Sequence, residues 1–161
     1  NPKLNCRLKN LKKFSPKRII LDNKLETNTN SYIIRTANKN NTIIFYNEAK
    51  KSNISKFKKK KIQLIKSKTN SLKQFDILKI LKKLYSLGCR NILVEGGNDL
   101  TKGFLKKKFF NRFYLFKSPK TLSKFNEYKE FNGFNILKMN YKSKTKIKSN
   151  FGKDTIKKKK N

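Results

Sequence analysis

The sequence predicts an α/β fold, a mixed sheet flanked by helices, and three observations carry that reading. Apolar runs of strand length recur along the chain, within residues 17–22, 41–46, 62–65, 91–95 and 112–116. Between residues 72 and 108 the apolar residues twice change to helical spacing. The resulting order is strands, then helix–strand–helix–strand, then strands, which suits one layered sheet with helices on its faces.

The elements follow in turn. Asn1-Pro2 opens the chain in loop style, as if inside a domain. Pro16 precedes a strand at 17–22, closed by Asp22 and Asn23. Residues 28–31 are polar loop, 41–46 a second strand, 58–61 a lysine run on a loop, and 62–65 a third strand. From Leu72 the period changes. Phe75, Ile77, Leu78, Ile80, Leu81 and Leu84 recur at helical spacing up to Gly88, a suitable C-terminal cap. Cys89 and Arg90 lead into a strand at 91–95, then a glycine turn and a helix to about residue 108. Alternation over 112–116 reads as a strand and 121–133 as an irregular connection. A strand is expected at 134–141, and a final strand pair within 145–156, turning at Gly152. There is no internal repeat. The expected organisation is one domain over 1–156 and a frayed lysine-rich tail over 157–161.

Composition narrows the function classes. A chain of 161 residues can bury a single core. It has no apolar stretch of membrane-spanning length and no signal-peptide pattern. Histidine is absent, which excludes a His-based triad and argues against zinc; Cys6 and Cys89 fit no metal spacing. Two separated thiols suit a reducing compartment, so the cytoplasm is expected.

Charge is the most conspicuous bias: 43 Lys and Arg against 9 Asp and Glu give a formal +34. Such a balance fits a polyanion binder, and a basic RNA- or ribosome-binding protein is one function class it leaves open. Yet arginine occurs only at positions 7, 18, 35, 90 and 112, and the lysines are spread along almost every segment. Lys, Asn, Ile, Phe and Tyr share A/T-rich codons, so coding bias is the alternative source of the charge, with nonspecific polyanion attraction as a side effect. Base-stacking aromatics would have to lie on an exposed basic face. Those in 43–46 and 113–116 sit within apolar runs and are expected in the core. No specific nucleic acid and no membrane partner is expected.

The segment 91–105, NILVEGGNDLTKGFL, carries the most chemistry. An apolar run ends in Glu95, Gly96 and Gly97 follow, and Leu100, Phe104 and Leu105 then take helical spacing. In an open α/β sheet, ligands bind at the carboxyl ends of strands. Paired glycines admit a phosphate or sugar to the backbone, and the free N–H groups of the next helix attract anions. Glu95 is placed to accept from a ligand hydroxyl or amine. The same residues also suit a plain tight connection, with Asn98 or Asp99 capping the helix. Arg7, in the opening loop with Leu4, has the planar fork that suits a phosphate, or is a solvated surface base.

Three stretches in order resemble the reductase domain of the bifunctional riboflavin-biosynthesis deaminase/reductase family. Asn1-Pro2-Lys3-Leu4-Asn5-Cys6-Arg7 is similar to its acidic-Pro-x-Leu-Thr-x-Arg loop. Pro16-Lys17-Arg18-Ile19-Ile20-Leu21-Asp22 is similar to its Pro-x-Arg-Val-Val-Leu-Asp strand, and Val94-Glu95-Gly96-Gly97 to its Val-Glu-Gly-Gly turn. The resemblance implies a dihydrofolate-reductase-like fold binding NADPH, and reduction of a phosphoribosylamino-pyrimidine to its ribityl form. It implies that Leu4, Arg7 and Glu95 touch the substrate. Asn23, Gly96, Gly97, Asn98, Asp99, Leu100, Thr101, Lys102 and Gly103 would line the cofactor. It identifies no catalytic residue and no metal. Asn1 stands for the usual acid, Asn5 for the usual Thr and Asn23 for the common Ser. The family's opening strand, helix and deaminase domain precede the matched region, so this chain alone is expected to be weakly active. A homodimer and a fused or separate deaminase are the partners the resemblance suggests.

Overall fold

A computed structural model describes residues 2–119, 131, 133–141, 145–147 and 155–160. The chain divides into two compact units, Asn1–Gly88 and Cys89–Asn161.

The first unit is a parallel three-stranded sheet with two consecutive strand–helix–strand crossovers. Strand β1 (Arg18–Leu21) is followed by helix α1 (Tyr32–Arg35), β2 (Thr42–Tyr46), α2 (Lys51–Lys59), β3 (Gln63–Lys66) and α3 (Ile77–Ser86). The order is β1-β2-β3, with Ile20 opposite Ile44 and Ile44 opposite Leu64. β2 is central and reads as an unbroken apolar run because both its faces are covered, with Thr42 to Phe45 all buried. The core gathers Leu25, Ile33, Ile34, Ile44, Phe57 and Ile62.

The three strands lie where their short apolar runs put them. α1 and α2 carry no such signal: α1 is a single turn, and α2 among its lysines offers little but Ile54 and Phe57, three residues apart. The lysine run expected on a loop is split. Lys58 and Lys59 end α2, where cations favour the helix dipole, and Lys60 and Lys61 form the turn beyond. α3 starts at Ile77 because the Asp76 carboxylate accepts from the N–H groups of Leu78 (3.0 Å) and Lys79 (3.3 Å). Gly88 follows it with φ +85°, the left-handed conformation expected of a cap.

Arg18 is the buried cation of this unit. It donates to the Thr36 hydroxyl (2.7 Å), the Thr36 carbonyl (2.8 Å) and Asn41 Oδ1 (3.0 Å), fastening the end of α1 and the next turn to β1. Burial lowers its pKa, with Tyr32 opposing that shift.

The second unit holds α4 (Asn98–Lys106), β4 (Arg112–Lys117), α5 (Phe134–Asn140), β5 (Thr145–Ile147) and β6 (Thr155–Lys160). Its antiparallel sheet has the order β4-β6-β5. Leu105, Leu137 and Tyr141 form the core, with Phe110, Phe113, Phe131 and Ile136 against it.

Several expectations are corrected here. The α/β fold has both parallel and antiparallel pairing as expected, and among the described residues this pairing forms two sheets, one parallel and one antiparallel. Residues 91–95 are in no strand, and Leu93 is 80% exposed. An apolar run favours extended backbone, but a strand also needs a neighbour, and none pairs with it among the described residues. The strand expected at 134–141 is helix α5, because burying Leu137 and Tyr141, four residues apart, takes helical geometry. The final strand pair does form, as β5 and β6, while Gly152 lies outside the described residues, as does most of the connection expected at 121–133. The tail is not frayed through Lys160, because β6 runs to that residue between β4 and β5. Lys159 Nζ donates to the Leu137 carbonyl (2.8 Å) and to the Tyr141 carbonyl, so a residue of the expected tail caps the end of α5. Tyr114 and Phe116, expected in the core, are exposed on β4, since alternation along an outer strand turns every second residue to solvent.

Candidate functional site

The residues singled out in the sequence divide between the two units. In the second, residues 91–97 enter α4 with extended backbone at Gly97 (φ −69°, ψ −179°). The two glycines serve different purposes. A Cβ on Gly96 would stand 2.5 Å from Leu100 Cδ2 and 3.0 Å from Leu100 Cβ, so Gly96 lets the turn fold against the helix. A Cβ on Gly97 would meet nothing within 4 Å. Packing therefore explains the first glycine, whereas the second borders open space at the start of α4.

Gly97 is the N-cap and makes no side-chain capping bond. Asn98 and Asp99, the capping alternatives the sequence offers, both lie inside α4. First-turn N–H groups at such an end favour an anion. Asp99, exposed in that turn, favours the helix dipole but opposes a second anion nearby. Thr101 steadies the turn: its N–H donates to the Gly97 carbonyl (3.1 Å) and its hydroxyl to the Gly96 carbonyl (3.3 Å). Glu95 is exposed beside the glycines, while Leu100, Lys102 and Gly103 are half-buried.

In the first unit, Leu4 has φ +48° and packs against the cluster of Leu25, Ile33 and Ile34, whereas Arg7 is exposed. Lys3 Nζ stands 5.6 Å from the centre of the Tyr32 ring, a second tie between this loop and α1. Asn23 lies just past β1, at the carboxyl edge of the parallel sheet, where open α/β sheets take ligands. Its carbonyl accepts from the N–H groups of Asn47 (3.0 Å) and Glu48 (3.1 Å), binding the ends of β1 and β2 together. The Asn47 amide donates to the Thr69 hydroxyl (3.0 Å), carrying the connection beyond β3. Asp22 shapes the following loop by accepting from the N–H of Glu26 (3.1 Å) and from Thr27 N–H and hydroxyl (both 2.7 Å). Asn23 Oδ1 is buried and has no hydrogen-bond partner.

Asn47, Thr69 and the acceptor role of Asp22 were not legible in the sequence, where each is one polar residue among many. Their importance comes from parallel pairing, which brings three strand ends side by side.

Among the described residues, no cluster of metal-binding side chains occurs and no helix is long and apolar enough to cross a membrane.

Comparison with known proteins bears on both units. The family model of the RibD C-terminal domain matches residues 1–155. The riboflavin biosynthesis protein RibD of Aquifex aeolicus (strain VF5) is 31% identical over 141 residues, 88% of this chain and 37% of that protein. The RibD of Chlamydia muridarum (strain MoPn / Nigg) is 26% identical over 124 residues, 76% of this chain and 33% of its own length. The chain thus spans about a third of the length of these curated relatives. Among solved structures, Acinetobacter baumannii RibD (form 1) aligns with a TM-score of 0.64 at 16% identity, over 99% of this chain and 42% of that one. A pyrimidine reductase-like protein from Corynebacterium diphtheriae aligns with a TM-score of 0.59 at 13% identity, over 91% of this chain and 61% of that one. These structures share the dihydrofolate-reductase-like α/β fold expected from the resemblance. An RNA- or ribosome-binding identity finds no support in these matches. With its family model covering 155 of 161 residues, the chain belongs to the RibD C-terminal domain family.

Proposed function

We propose that this chain is the reductase part of a riboflavin-biosynthesis enzyme. It would reduce 5-amino-6-(5-phosphoribosylamino)uracil to the ribitylamino compound with NADPH. In this reading Leu4, Arg7 and Glu95 contact the substrate, with the exposed Arg7 guanidinium suited to its phosphate. Asn23 and residues 96–103 line the cofactor. The observation that best supports it is Gly97, whose backbone faces open space while its neighbour Gly96 is closely packed. The unpartnered Asn23 Oδ1 also suits a ligand, because it lacks a donor that a bound group can provide.

When bound, NADPH supplies a hydride to the sugar C1′. The chain's own residues bind and orient the reactants. Thr101 fixes the Gly96 carbonyl, Asn47 fixes the backbone at Asn23, and Glu95 can accept from a substrate hydroxyl or amine. Holding the reacting carbon and the cofactor together lowers the entropic part of the barrier. A fused or separate deaminase, a homodimer and a cytoplasmic location complete the proposal.

The test is NADPH binding by fluorescence titration at low and high salt, for wild type, Gly97→Val and Glu95→Ala. Saturable binding that only Gly97→Val abolishes is the expected result. Weak binding that salt removes equally from all three proteins would instead mean that the net charge attracts the nucleotide, and would overturn the proposal.

A further inference from the structure

We infer that residues 8–17 form an interfacial contact by which the chain lies against an anionic lipid surface. Three large apolar side chains stand in water there: Leu8 is 64% exposed, Leu11 41% and Phe14 67%. No other seven-residue stretch among the described residues holds three exposed side chains of this kind. Exposed apolar residues gathered in one place mark an interaction surface, whereas single scattered ones do not.

The backbone gathers them. The Leu11 N–H donates to the Leu8 carbonyl (3.2 Å) and the Phe14 N–H to the Leu11 carbonyl (3.0 Å). Each bond closes a turn whose end Cα atoms lie within about 7 Å, so the three residues make one short row. Ser15 holds the segment in shape. Its hydroxyl accepts from the Cys6 N–H (3.1 Å) and donates to the Lys12 carbonyl (2.7 Å), and its N–H donates to the same carbonyl (3.1 Å). Polar bonds therefore set this loop, and its apolar side chains stay outside the core of the unit, where a partner can meet them.

Charge identifies the partner. Lys9, Lys12, Lys13 and Lys17 are exposed around the row, and no acid precedes Asp22. Lysines are spread along the whole chain and signify little alone; here they flank an apolar row. Lys13 Nζ stands 5.1 Å from the centre of the Phe14 ring, so an ammonium would accompany that ring to a headgroup layer. Apolar side chains entering the acyl boundary and lysines reaching anionic headgroups together make an interfacial anchor, which needs no membrane-spanning stretch. Nucleic acid suits the row poorly, because Leu8 and Leu11 offer no ring on which a base can stack. An acidic protein would have to supply an apolar pocket for the row, whereas fluid lipid adapts to it. Arg7, assigned above to the substrate, takes no part.

The chain contains no Trp, so Phe14→Trp places a single fluorophore in the row. Leu72→Trp, at a side chain 74% exposed elsewhere in the first unit, is the control. Emission is read with vesicles of equal parts phosphatidylserine and phosphatidylcholine, and with phosphatidylcholine alone. The position-14 reporter should shift to the blue with the anionic vesicles and be quenched by brominated acyl chains, and the position-72 reporter should do neither. In the Phe14→Trp chain, Leu8→Ser together with Leu11→Ser should weaken vesicle binding about tenfold or more. Each of Lys9→Gln, Lys12→Gln, Lys13→Gln and Lys17→Gln should weaken it about fivefold. Equal shifts at both reporter positions, or undiminished binding in the double serine variant, would mean that the net charge alone holds the chain to the bilayer, and would overturn the inference. An equal blue shift with polyuridylate or polyglutamate in place of lipid would assign the row to a nucleic acid or an acidic protein and overturn it too. So would the absence of any shift with anionic vesicles, if sedimentation of the unsubstituted chain with them is also absent.

Discussion

Adding one methyl group at each glycine of the turn separates packing from ligand access. In Gly96→Ala the new Cβ would stand 3.0 Å from Leu100 Cβ, 3.1 Å from Cγ and 2.5 Å from Cδ2. Cδ2 can swing away, but Cβ is fixed to the α4 backbone, so the turn and the helix must separate by a few tenths of an ångström. Overpacking of this kind costs about 1–3 kcal/mol, and the lower entropy of the unfolded alanine chain returns about 0.4–1 kcal/mol. The net loss should lower the melting temperature by roughly 2–6 °C in a chain of this size. Gly97→Ala meets no atom within 4 Å, and its extended backbone suits any residue. The entropic gain there is offset by alanine's poor N-cap preference, leaving stability within about 0.5 kcal/mol of wild type. Its methyl group should instead obstruct the open space over α4 and weaken NADPH binding about tenfold, equivalent to about 1.4 kcal/mol. Far-UV circular dichroism melts and a fluorescence titration read the two effects separately. An unchanged melting temperature in Gly96→Ala, or an equal fall in Gly97→Ala, would refute the assignment of packing to one glycine and access to the other.

Arg18→Met removes the buried guanidinium that joins α1 to β1 and should cost about 2–4 kcal/mol in urea unfolding. Arg18→Lys should fall between it and wild type, since one ammonium cannot reproduce the fork to Thr36 and Asn41. Lys159→Met should lose about 1–3 kcal/mol through the uncapped carbonyls of Leu137 and Tyr141. Lys158→Met, whose ammonium stands 6.0 Å over the Tyr114 ring, should change stability by under about 0.5 kcal/mol in the same assay. Burial raises the pKa of Tyr141, whose hydroxyl donates to the Leu105 carbonyl (3.1 Å). The unfolded phenol ionises first, near pH 10, so this contribution is complete below that pH and is lost as the pH climbs through the higher folded value. Tyr141→Phe should lose about 1 kcal/mol at pH 7, and its stability should fall less than that of wild type when urea melts are repeated at higher pH.

The sequence by itself determined the strands of the first unit, helix α3 and the glycine turn. Each is a local signal: short apolar runs at β1, β2 and β3, a 3.6-residue period behind the Asp76 cap, and a glycine pair before a helix. It also placed Asn23 just past the end of a strand, where the family resemblance put the cofactor. Tertiary structure decided what local signals leave open. Residues 91–95 carry strand-forming residues but gain no ladder, because pairing depends on chain distant in sequence. α1, α2 and α5 have four, nine and seven residues, too short to hold as isolated helices, so packing around Ile34, Phe57 and Leu137 selects their form. The same distinction holds at the candidate site. Identical neighbours in the sequence, Gly96 and Gly97, differ only in that Leu100 folds back onto one of them. Lys159 is one lysine in a run of four until β6 places its ammonium at the end of α5. Periodicity and caps act within a few residues and can be read from the chain. Pairing, close contact and the burial of a particular oxygen depend on which distant residues meet, and only the folded chain brings them together.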